Sequence, residues 1–358
     1  AATLAGFSHE ESKEIGYAAA FVDNCNKALI KYLNGPISAA SVTTAMELAD
    51  TNMNLNGIHD LTRIWSSFHF LPGNLYAEVP RRTKVYMNKY RLICGTNSDL
   101  LVDTINNVKG KGTQAYGVAM HVTADTWAHS YFAGTPSFVI NDSDRFFEVC
   151  EEDGKEVDKP ITFKLTASED FEKRVYIRSI SQSAEDSIMN LGHGRAGHLP
   201  DYSFLKYKFM PSWKNYEMIV KDNPSDFYHA FCQMTYALQY LHGDKPSFEK
   251  NTYAEDAVAP YKEEIMAIIR KRQTDATADW KALAEKLAGQ SVEEFDVKKY
   301  QDEYISAPEE LKDDTYLGKF FLATMSQKSL VTHRVYNSGN MSLGYSVDYK
   351  KDGAAGIK

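Results

Sequence analysis

One stretch restricts this chain more than any other: HVTADTWAHSYFAG, residues 121–134, in which His121, Asp125 and His129 recur every fourth position among Ala, Val and Trp. Four residues turn a helix through about 400°, so the three side chains drift by roughly 40° per step and share one face, with neighbours ~6 Å apart along the axis. Imidazole and carboxylate are the usual zinc ligands, and one small cation, or two adjacent ones, is within reach of such a stripe. Ala119, Ala124 and Ala128 are small enough for other helices to approach. The plainer reading is a buried polar stripe in which each histidine hydrogen-bonds a neighbour. The motif is not HExxH, because no Glu follows His121 to act as a base.

A second cluster lies in GHGRAGHLPD, which holds His193, His198 and Asp201 between glycines that permit tight turns. An ordinary capped turn is the alternative. His69, in SSFHFLPG between Phe68 and Phe70, is either a ligand or a core histidine. Asp23 closes the segment YAAAFVD on an alanine-rich helix face, where a buried carboxylate needs a compensating partner, and a cation is one.

The remaining chain reads as mainly α. Ser8 and Glu11 form a capping box for a helix over 8–33 that Gly35-Pro36 stops. Residues 37–50 fit helix or strand equally. Helices are expected at 97–109, at 113–133 with Gly134 and Pro136 ending the run, and at 179–190. Others are expected at about 212–221, 224–242, 254–272, 276–288 and 306–329. Residues 137–178 are rich in β-branched and aromatic residues around Asp153-Gly154, a hairpin signal, and read as a small β insertion. The stretch 191–204 reads as a loop, and 336–358 as an irregular tail on a single domain covering 1–335.

The net charge of −8 with no basic stripe argues against duplex nucleic acid as a partner. No apolar run reaches the ~20 residues of a membrane-spanning helix. Cys25, Cys94, Cys150 and Cys232 lack metal-ribbon or disulfide-framework spacing, so the compartment, cytoplasmic or secreted, stays open. The chain begins AATLAGFS, without a visible signal peptide, which suggests a processed start or upstream residues outside this sequence.

These motifs together resemble the bacterial zinc-dependent phospholipases C and the related fungal single-strand nucleases, and more closely an uncharacterised bacterial phospholipase-C-like family. The matching segments are YAAAFVD, SSFHFLPG, HVTADTWAHSYFAG and GHGRAGHLPD, spanning residues 17–204. The resemblance implies a multi-helix bundle with a zinc cleft. In it Asp23 is a ligand and general base, His69, His121, Asp125 and His129 are ligands, and His198 with Asp201 stands for a later His–acid pair, with His193 competing for the role. Two departures stand out. The His–acid spacing is HxxD rather than HxxxE, and the N-terminal amine and nearby His that complete the phospholipase site have no counterpart before His9, so two or three zinc ions are expected. The implied activity is hydrolysis of a small-molecule or phospholipid phosphodiester by a metal-activated water.

In that reading Asp60 or Asn24 would fix imidazole tautomers. Trp65, Phe68, Phe70, Trp127 and Tyr131 would either line an apolar lip or, for most of them, pack the core. Two alternatives remain: a non-catalytic metal-binding or lipid- or partner-binding protein on the same scaffold, and an HD-type phosphohydrolase built around His59-Asp60.

Overall fold

The computed structural model describes residues 1–33, 43–44, 55–164, 168–178 and 192–346. The helix expected at 179–190, and nearly all of 37–50, lie outside the described residues. The principal helices are α1 (His9–Phe21), α2 (Leu55–Phe68), α3 (Asp99–Val108), α4 (Thr113–Ala128) and α5 (Asn223–His242). They are followed by α6 (Lys262–Arg270), α7 (Thr277–Ala288), α8 (Val297–Ser306) and α9 (Tyr316–Asn337).

Helix α4 is the axis of the molecule. Twelve of its 16 residues are buried, Gln114 and Thr123 among them, the signature of a helix enclosed on all sides rather than lying on a surface. Helices α1, α2, α3, α5 and α9 all pack against it. Its closest neighbour is α1, and Gly117 makes that approach possible: a Cβ there would stand 2.4 Å from the Ile15 carbonyl oxygen and 2.5 Å from the Ala18 Cβ. Phe21, Phe68, Leu101, Val118, Leu317 and Phe320 meet in the main core. A smaller core joins α5, α6 and α7 through Cys232, Ile265, Ile269 and Leu283.

Local signals act as the residue types dictate. Ser8 and Glu11 close the capping box of α1. Asp153 and Gly154 both take positive φ, 52° and 74°, as a two-residue turn of type I′ requires, and join β1 (Ser143–Glu152) to β2 (Lys155–Pro160) in antiparallel register.

Several expectations need correction. The helix expected over 8–33 is two: α1 ends at Phe21, and a second helix, Lys27–Tyr32, begins after Asn26 caps it. The helix expected over 113–133 ends at Ala128, with His129 as its C-cap. Most substantially, the described residues are mixed α/β rather than a mainly α bundle with one β insertion. Beyond the short parallel pair β3 (Thr162–Lys164) and β4 (Val175–Ile177), a four-stranded antiparallel sheet runs β2-β1-β5-β6. Its strands β5 (Lys206–Pro211) and β6 (Ile219–Asp222) come from well past residue 178, where 212–221 was expected to be helical.

The physical reason lies in the alternation of KYKFMP: Tyr207 and Phe209 turn inward and are fully buried, while Lys206 and Lys208 face outward and pair with Glu156 and Asp158. The segment 191–204, expected as loop, contains a short helix at Gly192–Ala196. The tail is not wholly loose: Leu343 is buried and its carbonyl accepts hydrogen bonds from Arg63.

Candidate metal centre

Four chain segments deliver the side chains. Helix α4 carries His121 and Asp125 and ends on His129. Asp23 stands in the turn that follows α1, so the α1–α4 contact at Gly117 brings it beside His121. His69 follows the last residue of α2, its N–H donating to the Trp65 carbonyl. The strand-like stretch after it is tied to residues 93–95, which in turn bond the chain leaving α4: Gly73 N–H donates to Ile93, Cys94 N–H to Phe132 and Tyr131 N–H to Cys94.

Asp201 lies in the turn after Gly192–Ala196. Gly197 there has φ of 60°, and a Cβ would meet the Ile177 carbonyl oxygen at 2.4 Å, so only glycine fits. The buried Asn223 amide holds the same turn by donating to the Leu199 and Tyr202 carbonyls, each at 2.8 Å.

These segments form two groups. In the first, Asp23, His69 and His121 present ligand atoms that all lie within 4.8 Å of one another. Asp23 Oδ1 is 3.8 Å from His69 Nδ1 and 3.7 Å from His121 Nε2, and the two imidazole nitrogens are 3.3 Å apart. In the second, His129, His193 and Asp201 are grouped as tightly, with His129 Nε2 3.0 Å and His193 Nε2 3.3 Å from Asp201 Oδ1. Asp125 stands between the groups: its Oδ2 is 3.1 Å from His69, 3.3 Å from His121 and 3.5 Å from His129. His198 is outside. It is 64 % exposed and approaches the other Asp201 oxygen at 3.2 Å, so His193 rather than His198 completes the second group.

Main-chain carbonyls orient the rings. A carbonyl only accepts, so the ring nitrogen facing it carries the hydrogen. His69 Nε2–H donates to the Thr43 carbonyl at 2.9 Å, which leaves the Nδ1 lone pair aimed at His121 and the two aspartates. His129 Nδ1–H donates to the His69 carbonyl at 2.7 Å, leaving Nε2 toward Asp201 and His193. This is how metal-binding imidazoles are usually held. Phe70 stacks on the His129 ring, centroids 4.9 Å apart. Asn24 and Asp60 do not take the orienting role: Asn24 donates to Ala20, and Asp60 pairs with Arg63.

Charge is concentrated here. Desolvation opposes ionisation of His121, Asp125, His129, His193, His198 and Asp201. For Asp125 the His129 and His121 rings, with a hydrogen bond from His121, override it, and the carboxyl stays far below its usual range. For Asp201, burial is likewise overcome by His193 and by hydrogen bonds from His129, His193 and His198. Burial depresses His129, but Asp125 and the bond to Asp201 outweigh it and raise its pKa to about 9. His121 is raised by Asp125 against the same penalty, whereas burial wins at His193 and lowers it. The hydrogen bond to Asp201 raises His198.

The donor chemistry fits cations. Two groups of two imidazoles and one carboxylate share a further carboxylate, and one imidazole of each group, His69 and His129, is oriented by a carbonyl acceptor behind it. Without cations, His129 and His193, with ring centroids 4.6 Å apart, crowd against the same Asp201 oxygen.

His59 and Asp60 sit on α2 beside Arg63 and Gly344, outside both groups. Trp65, Phe68, Phe70 and Trp127 are buried, and only Tyr131 is exposed, at 40 %. Sequence reading missed Asn223 and the Thr43 carbonyl. Asn223 heads a helix with Pro at its second position, a recognisable start signal. The carbonyl carries no residue signal at all.

No helix of the described residues is long and apolar enough to cross a membrane. No curated protein and no solved structure matches the chain. Residues 1–335 do match a family described as a family of unknown function, DUF6765, and the chain belongs to that family.

Proposed function

We propose that the chain is a zinc-dependent hydrolase of phosphodiester bonds of the phospholipase C type. The observation that carries this reading is the pair of three-residue groups, Asp23–His69–His121 and His129–His193–Asp201, joined through Asp125. Asp23, His69 and His121 would hold one ion, His129, His193 and Asp201 a second, and Asp125 would be shared between them. Zinc bound there supplies Lewis-acid polarisation of a phosphoryl oxygen and lowers the pKa of water toward neutrality.

The protein's own residues supply the rest. Asp23 is 65 % exposed although it faces His69 and His121, so it can reach a water arriving from solvent, orient it and take its proton. Asp125, largely enclosed, and Asp201, 38 % exposed, stay ionised and hold positive charge in the cleft. The carbonyls of Thr43 and His69 fix the ring nitrogens, so little reorganisation is needed when substrate arrives. The open Asp23 side favours turnover over a closed structural site, which encloses its ion on all sides.

The test is metal content of unchelated protein by plasma mass spectrometry, beside an Asp125→Asn, His129→Ala variant, followed by a phosphodiester screen. Two zinc ions per chain, lost in the variant, with hydrolysis of a diester support the reading. No metal and no uptake on adding zinc would overturn it.

A further inference from the structure

A pocket of about 250 Å³ opens beside the centre, and its floor includes the two carboxylates Asp125 and Asp201. Its far wall is hydrocarbon: Phe227, Phe231 and Met234 of α5, and Trp280 of α7. Phe231 and Trp280 stack in parallel, interplanar angle 12°. On the near side Ala124 and Ala128 leave the space open, where any larger side chain on α4 would occupy it. Apart from the two aspartates, no lining side chain is charged, an amide or a hydroxyl.

This wall does not pack against the metal ligands as a core would. It leaves an apolar void next to ionised groups, an arrangement that costs stability unless something apolar fills it. An engineered apolar cavity of about 150 Å³ takes benzene, so this one has room for a larger group. A nucleobase would find only the Trp280 indole N–H and the two carboxylates to replace its several water hydrogen bonds, a penalty a hydrocarbon does not meet.

We propose that the pocket seats an apolar substituent of the substrate, of about fused-bicyclic size, on a molecule whose anionic ester group is held at the metal centre. The ester part rests on the hydrolase reading above. The apolar part rests on the pocket alone.

The experiment separates the two. 2-Naphthol is titrated calorimetrically into the full chain, into Ala230→Phe and Met234→Trp, which fill the pocket from its α5 wall, and into His121→Ala, His193→Ala, which removes one ligand from each group and leaves the pocket lining intact. Saturable one-to-one binding to wild type, retained in the metal-ligand variant and weakened about tenfold or more by a filling variant that melts like wild type, is expected. Two filling variants keep the test readable if one fails to fold. Absence of saturable binding to wild type, or binding unchanged by a folded filling variant, overturns the proposal.

Turnover of 2-naphthyl methyl phosphate against dimethyl phosphate is then compared. Naphthol binding with hydrolysis of neither ester upholds the pocket and sinks the hydrolase reading. Equal kcat/KM for both esters without naphthol binding does the reverse.

Discussion

His129 Nε2 lies 3.0 Å from Asp201 Oδ1, while on the other side of the same ring Nδ1 faces Asp125 Oδ2 at 3.5 Å and donates to the His69 carbonyl. One imidazole thus links both groups, and its protonation is tied to two carboxylates 76 residues apart in the chain.

The metal-free protein therefore has a defined pH response. The folded pKa of His129 is raised to about 9 from an ordinary 6.5, so its stabilising contribution is complete below about pH 6.5 and lost as pH rises through 9. Asp125 and Asp201 are depressed, so theirs is present above the usual carboxylate range and lost only in strong acid. Chelated protein should melt at a lower temperature at pH 10 than at pH 6. Zinc-loaded protein should show the opposite trend on acidification, because ligand protonation expels the ion. Calorimetric melts across this range, with and without chelator, check it. Chelated protein with a flat profile from pH 6 to 10 would contradict the assignment.

Asp125 serves both groups, so Asp125→Asn should lower occupancy of both, whereas Asp23→Asn should lower only the first. Metal content after dialysis against a weak chelator distinguishes them. Equal losses in the two variants would mean that Asp125 does not bridge.

Gly117 is the contact on which Asp23 depends. Gly117→Ala puts a methyl 2.4 Å from the Ile15 carbonyl oxygen, so α1 must move away from α4. Overpacking of this kind costs about 1–3 kcal/mol, and the turn bearing Asp23 moves with the helix. The variant should unfold at lower denaturant and release its first metal more readily, with the second group unaffected. An unchanged midpoint would show that the helices separate freely there.

The stripe on α4 was legible because helical geometry turns a four-residue repeat directly into a shared face, and the β1–β2 turn because Asp153-Gly154 favours positive φ. Less legible was where things stop. His129 caps its helix five residues before Gly134, as Tyr131 takes a φ of 78° to bond the strand-like segment at Cys94. Strand β6 falls partly where a helix over 212–221 was expected, and Lys221 within it reads by type as a surface residue. It is fully buried, with Nζ donating to the Trp127 carbonyl near the end of α4 and pairing with Asp226. His193 and His198 were indistinguishable by type, since which of them faces inward is decided by the turn at Gly197. Imidazole orientation through the Thr43 and His69 carbonyls lies beyond residue identity altogether.

Asn223 gives the sharpest test of that tertiary layer. Its side chain is fully buried, touches no candidate ligand, and donates to the carbonyls on both sides of Asp201. Asn223→Leu keeps the volume but leaves the Leu199 and Tyr202 carbonyls without that donor, at about 1–3 kcal/mol. The turn then loosens around Asp201 but not around Asp125 or Asp23. Affinity of the second group for zinc should fall about 10- to 100-fold, the usual effect of removing a support behind a ligand, while the first group keeps its ion. Competition titration with a chromophoric chelator resolves the two sites, and restoring the amide with Asn223→Gln should recover part of the loss. A uniform decrease at both sites would indicate general unfolding, and no decrease would show that the turn holds Asp201 without Asn223.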